Sequence, residues 1–255
     1  MPKRSTSLDL PSAPPSRVAD ADTRERHERI WQEFLQRPAI FVYEPRFLRI
    51  PGVVAMLTVQ ARITDRSIRR RLRRVVENLG EASCIEPYPE DYFHMTVVPP
   101  ALLTTGERRP PLLLPDGFEI EALGTMREVL RDYGPFEVQI QGLNVFRDVL
   151  VAVALDGGHS AEIRRRLASV VPELPDKYWN ALPAVPHISL AQFTNAESVT
   201  QLRDAVASLR DVYLGTLHVT RLYVVRSPLV EGVFGESERR AIPLVGSARG
   251  ELVEP

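Results

Sequence analysis

Cysteine is almost absent. Cys84 is the only one in 255 residues, which excludes an internal disulfide framework and a cysteine-rich metal site and fits a reducing compartment, so a cytoplasmic location is expected. Long hydrophobic runs are missing too: none approaches the roughly twenty apolar residues of a membrane-spanning helix, and no membrane partner is expected. The N-terminal stretch MPKRSTSLDLPSAPPSRVADAD lacks the apolar core of a signal peptide. Excess charge of one sign is also lacking. With a formal net charge of -1, no bulk positive field advertises nucleic acid, and any RNA contact has to be local. No two of the five histidines have His-x-x-x-His spacing, and no carboxylate set at ligand spacing stands near the motifs described below. Neither a metal nor another cofactor is therefore expected.

What remains is an ordinary globular composition, 44% hydrophobic and 25% charged, with enough apolar residues for a full core. The Pro, Ser and Asp content of residues 1–22 predicts a disordered leader, because little apolar surface is available to offset chain entropy. A helix is predicted over 23–37, with Ile30, Trp31, Phe34 and Leu35 as its stripe, His27 on its polar side and Pro38 as its stop. One folded unit over 38–246 and a flexible tail over 247–255 complete the expected organisation.

Within that unit GVVAMLTVQARI reads as a strand. RSIRRRLRRVVENLG reads as a helix capped near Thr64 and Asp65, carrying Ile68, Leu72, Val75, Val76 and Leu79 on one face and ending at Gly80. The arginines between those positions read as a solvated outer face. DYFHMTVVPP is a strand ended by its two prolines, and the Pro-rich run to Pro115 is a wall over a site or a surface insertion. FEIEALGTMREVLRDYG restores helical spacing. PFEVQIQGLNVF and VLVAVAL pair as a hairpin. SAEIRRRLASVV is a helix through Ile163, Leu167, Val170 and Val171, with Ser160 as a cap after His159. PHISLAQF is a strand, ESVTQLRDAVASLR a helix, and GTLHVTRLYVVRS and RRAIPLVG close the chain as strands. The second half repeats the grammar of the first, which predicts two similar α+β lobes.

Side chains two apart on a strand share a face. His94 and Thr96 therefore point together, opposite Met95, and His187 and Ser189 point together, opposite Ile188. Each pair puts an acid/base group beside a hydrogen-bond donor. At ordinary composition a histidine meets Ser or Thr two places later roughly one time in eight, so five histidines should give fewer than one such pair. Three occur, the third being His218 with Thr220. Any one alone is explained by a strand histidine bonded to a nearby carbonyl; two in matching contexts, one in each half, point to a shared site.

HMTV and PHISLAQF resemble the paired His-x-Thr/Ser-apolar signatures of the two-histidine (2H) phosphoesterase superfamily, which includes the 2′-5′ RNA ligases and cyclic phosphodiesterases. PFEVQIQGLNVF with VLVAVAL is similar to the middle hairpin of that family, and VTRLYVVRSPL to its last long strand. The resemblance implies a bilobal, pseudo-symmetric α+β fold in which two mainly antiparallel sheets face a central cleft, with helices outside and one motif from each lobe lining it. It also implies metal-free hydrolysis of a 2′,3′-cyclic or 2′-5′ phosphodiester in an RNA end, a short oligonucleotide or a cyclic nucleotide. His94 and His187 would be general acid and base, their order open, and Thr96 and Ser189 the donors to the nonbridging oxygens. Tyr92 shares parity with His94, and Phe193 with His187, so either ring could stack on a base. His218 and Thr220 are candidate substrate contacts. The alternative is a module that binds RNA or a nucleotide phosphate in the same cleft without turnover.

Overall fold

The computed structural model describes residues 20–37, 39, 42, 51–79, 84–105, 113–146, 148–171, 185–195, 199–230, 233–234 and 238–246. The expected leader up to Ala19, Gly80, residues 106–112 of the Pro-rich run and the expected tail lie outside them.

In chain order the elements are α1 (Ala21–Gln36), β1 (Val53–Arg62), α2 (Arg66–Leu79), β2 (Ile85–Pro87), β3 (His94–Thr104), β4 (Leu113–Pro115), α3 (Phe118–Val129), β5 (Phe136–Phe146), β6 (Val149–Leu155), α4 (His159–Ala168), β7 (His187–Phe193), α5 (Val199–Ala207), β8 (Tyr213–Val219), β9 (Arg221–Val230), β10 (Val233–Phe234) and β11 (Glu238–Pro243). The strands form one hydrogen-bonded path, β10-β9-β1-β3-β7-β6-β5-β8. Along its flanks β11 pairs with β9, β2 with β7 and β4 with β3. The β3–β4 pair is parallel, and the other described pairs are antiparallel. The α+β class expected from the sequence is therefore present, and the two expected sheets are the halves of one continuous, mainly antiparallel sheet, joined where β3 pairs with β7.

Helical periodicity placed the core well. Ile68, Leu72, Val75, Val76 and Leu79 of α2 are all buried, and the Asp65 carboxylate caps the helix by accepting from the Ser67 and Ile68 amides at 2.6 and 3.1 Å. A β-carbon on Gly215 would lie 3.1 Å from Ile68 Cγ1. Gly215 is in register with Ile140, Ile140 with Ala154, and Ala152 with Ile188. Since cross-strand partners project to one side, α2 covers the Ile188 side of the second half, opposite His187.

Several local expectations are corrected. β3 does not end at its prolines but continues to Thr104. Leu57 pairs with Ala101 and Val59 with Val98, so Pro99 and Pro100 sit in a bulge, where the ladder is already interrupted and a missing N–H costs little. In α1, Ile30, Trp31 and Phe34 are buried but Leu35 is exposed, and His27 is only 3% exposed rather than on a polar face. Val170 lies beyond the end of α4 and is exposed. Asp156, not Ser160, caps α4: its Oδ2 accepts from the Ser160 amide at 2.7 Å. The run GTLHVTRLYVVRS breaks at Thr220 into β8 and β9, which belong to opposite halves of the sheet.

Candidate active site

The two halves touch through the antiparallel pair Met95–Ile188. Continuing that register by one residue each way sets His94 beside Ser189 and Thr96 beside His187. Met95 and Ile188 are fully buried, whereas the four polar side chains are half-buried on the opposite face. A local twofold through Met95 and Ile188 thus relates the two motifs, each histidine beside the other motif's hydroxyl. The sequence could supply the pairs but not this reciprocity.

Both imidazoles are anchored in the same way. His94 Nδ1 lies 2.5 Å from the Tyr92 carbonyl oxygen, and His187 Nδ1 lies 2.8 Å from the Val185 carbonyl oxygen. A carbonyl only accepts, so each Nδ1 carries the proton and the lone pair of each neutral ring is on Nε2. The bond to a nearby carbonyl, which could have explained either histidine as a structural residue, here fixes the tautomer and aim of both.

Removal from water lowers the His94 pKa to about 4. The Tyr92 carbonyl opposes that shift, while the positive charges of Arg62, His187 and Arg239 add to it. Burial also lowers the His187 pKa, opposed by its bond to Val185. Both rings are therefore neutral near pH 7 in the free protein.

Other expected contacts divide. Tyr92 ends a short 3-10 turn, Glu90–Tyr92, ahead of β3. Its ring nevertheless meets His94 edge-on, with centroids 4.9 Å apart. Phe193 is corrected: it is fully buried and cannot offer a stacking face. Its parity fails because β7 carries a bulge. Leu150 pairs with Ala191 and Val151 with Ser189, leaving Leu190 as the extra residue that reverses the alternation. Gln192, half-buried, takes the outward position. His218 and Thr220 are exposed at and just beyond the end of β8, the edge strand three places from β7. His218 is paired with Glu137, and neither residue is brought to the histidine pair.

The ring that does stack there is Phe146, 4.8 Å from His187 and inclined by only 16°. Nothing in the spacing of β5 marks it, because the contact crosses β6. Phe146→Leu is expected to leave the fold intact and lower kcat by up to about tenfold, the scale of one ring contact. Steady-state rates at saturating substrate check this.

The model of the 2′-5′ RNA ligase superfamily matches residues 64–229. The chain belongs to this superfamily. Its fold is similar to that of TT0787 from Thermus thermophilus, at 18% identity and a TM-score of 0.51, covering 75% of this chain and 99% of that one. E. coli LigT complexed with ATP gives 14% identity and a TM-score of 0.45 over 75% of this chain and 99% of LigT. LigT complexed with phosphate gives 13% and 0.49, over 76% and 99%. No curated protein matches. Both His-x-Thr/Ser motifs fall inside the part matched by the superfamily model, whereas α1 precedes it. Among the described residues no helix is long and apolar enough to cross a membrane, and no three His, Cys, Asp or Glu side chains converge as a metal site.

Proposed function

We propose that this chain is a metal-independent phosphodiesterase that hydrolyses a 2′,3′-cyclic or 2′-5′ phosphodiester of RNA or a nucleotide. The observation that carries the reading is the pair of Nδ1-anchored imidazoles related by the local twofold, each with a hydroxyl in register. His94 Nε2 takes a proton from water as its oxygen attacks phosphorus. The bond from phosphorus to the 2′ or 3′ oxygen breaks, and that oxygen takes the proton held on His187 Nε2. Arg62 and Arg239 favour neutral His94 as the base and leave His187 as the acid. Thr96 and Ser189 donate to the nonbridging oxygens as charge develops on them.

This division needs one neutral and one protonated imidazole. Because both pKa values are lowered, the singly protonated free enzyme is most populated on the acid side of 6.5. With 2′,3′-cyclic mononucleotides and 2′-5′ and 3′-5′ dinucleotides assayed in EDTA, turnover is expected for the first two classes, with kcat/KM rising as pH falls from 8 towards 6. Well-folded protein that binds these compounds saturably but yields no product at any pH would favour the binding-module reading instead.

A further inference from the structure

α1 limits the directions in which a ligand can leave the histidine pair. His187 is in register with Val153 and Val153 with Gln141; Ser189 is in register with Val151 and Val151 with Asn144. Partners across a ladder share a face, so Gln141 and Asn144 lie on the site face, two strands or about 10 Å from the motif. α1 is docked on them. Asn144 Nδ2 donates to the His27 carbonyl oxygen at 2.8 Å, and Arg24 Nη2 donates to Gln141 Oε1 at 3.4 Å. His27 Nε2 donates to the carbonyl oxygen of Pro186, the residue before His187, at 3.0 Å. Beneath this helix Asn144 and Val151 have no exposed surface. The second half is thus roofed as far as the root of His187.

The first half differs. Arg62 is in register with His94, Gln60 with Thr96 and with Tyr223, and Arg239 with Val225, itself in register with Thr58. By the same rule all these residues stand on the site face. Tyr223 and Arg62 are half-buried and Arg239 is exposed. The Arg62 guanidinium donates to the Asp91 main-chain carbonyl, which fixes its position, and the charge of Arg239 acts on it more strongly than the opposing Asp91 carboxylate. Gln60 is only 4% exposed. Its amide nitrogen donates to Thr58 Oγ1 at 2.8 Å, and its amide oxygen has no partner. A buried polar atom left unpaired costs free energy, and two cations on one face repel unless an anion joins them. Both features point to a ligand.

We infer that a nucleotide reacting at His94 and His187 extends over the first half, a second phosphate lying between Arg62 and Arg239 and the sugar or base against Gln60 and Tyr223. The inference rests on the two-histidine reading for the position of the reacting phosphate. It narrows the substrate to a nucleotide or RNA end bearing a phosphate beyond the reacting one.

Calorimetric titration of the full-length protein with adenosine 3′-monophosphate and adenosine 3′,5′-bisphosphate tests it. The bisphosphate should bind about tenfold more tightly, the scale of one charge-assisted contact. Arg239→Met should remove that advantage, bringing the affinities for the two compounds within about twofold of each other. Arg74→Met, on the exposed face of α2, should keep the advantage and so separates a local site from general attraction. Equal affinities, no binding of either compound, or an advantage that survives Arg239→Met would overturn the inference. The same comparison with adenosine 2′,3′-cyclic phosphate, with and without a 5′-phosphate, separates the two readings. Turnover of both at equal KM sinks only the second-phosphate site. No turnover, with the binding advantage intact, sinks only the catalytic reading.

Discussion

His94→Ala and His187→Ala are each expected to lower kcat by about 10²–10⁴, the contribution of one positioned acid or base. Because proton removal and proton delivery belong to one displacement, the double variant should lose far less than the product of the single losses. Thr96→Val and Ser189→Ala remove a donor to the developing charge and should cost about 10²–10³. Geometry makes these effects specific to the reaction. All four side chains are half-buried on the open face, while the packing at that point is made by Met95 and Ile188 on the other. Truncation should leave the core and the thermal transition nearly unchanged. Rates with a cyclic or 2′-5′ substrate, alongside circular dichroism of each variant, make the check. Full activity in either histidine variant would end the two-histidine mechanism.

The second large effect is on stability. His27 is held neutral: burial lowers its pKa to about 4, the bond to the Pro186 carbonyl opposes this, and the charges of His187 and Arg210 add to it. Its tautomer is consistent throughout, with Nε2 donating to Pro186 and Nδ1 facing the Asn144 amide nitrogen at 3.4 Å. Above pH 6.5 the ring is neutral both folded and unfolded, and pH makes no difference. As pH falls from about 6.5 to about 4, the unfolded chain takes up a proton that the folded chain refuses, so stability is lost across that window, on the order of 3 kcal/mol from His27 alone. His94 and His187, also lowered, act in the same direction. Asp65 and Glu162, whose pKa values are lowered by hydrogen bonds, lose their contributions only below their ordinary values of 3.8 and 4.5. The interval from 6.5 to 4.5 therefore belongs to the histidines. Urea unfolding at half-unit steps should show the decline, and His27→Gln should flatten it by up to about 1.4 kcal/mol per pH unit. A flat profile in the unsubstituted protein would contradict a buried neutral His27.

This buried histidine also bears on the site. The same Nε2 that must stay protonated to donate to Pro186 holds the residue before His187. Acid that unseats α1 would then disturb the root of the catalytic strand. Loss of activity below the histidine window should accordingly be accompanied by loss of structure, whereas the fall in rate above pH 6.5 should not.

Features that depend on short-range geometry were legible in the residue order alone. Alternation along a strand placed His94 with Thr96 and His187 with Ser189, because a pleat repeats every two residues whatever its neighbours do. Helical spacing marked Ile68, Leu72, Val75, Val76 and Leu79 as one buried stripe for the same kind of reason. Tertiary structure decided everything that needs a partner strand. The extra residue Leu190 in β7 turned Phe193 into the core. The break at Thr220 sent His218 to an edge strand far from the motifs. The registers of β1 with β3 and β9 brought Arg62, Gln60 and Tyr223 beside His94 and Thr96. The docking of α1 buried His27, which its own helix gave no reason to bury. Bulges, crossovers and docking are settled by pairing and packing between residues distant in the chain, and no local period encodes them.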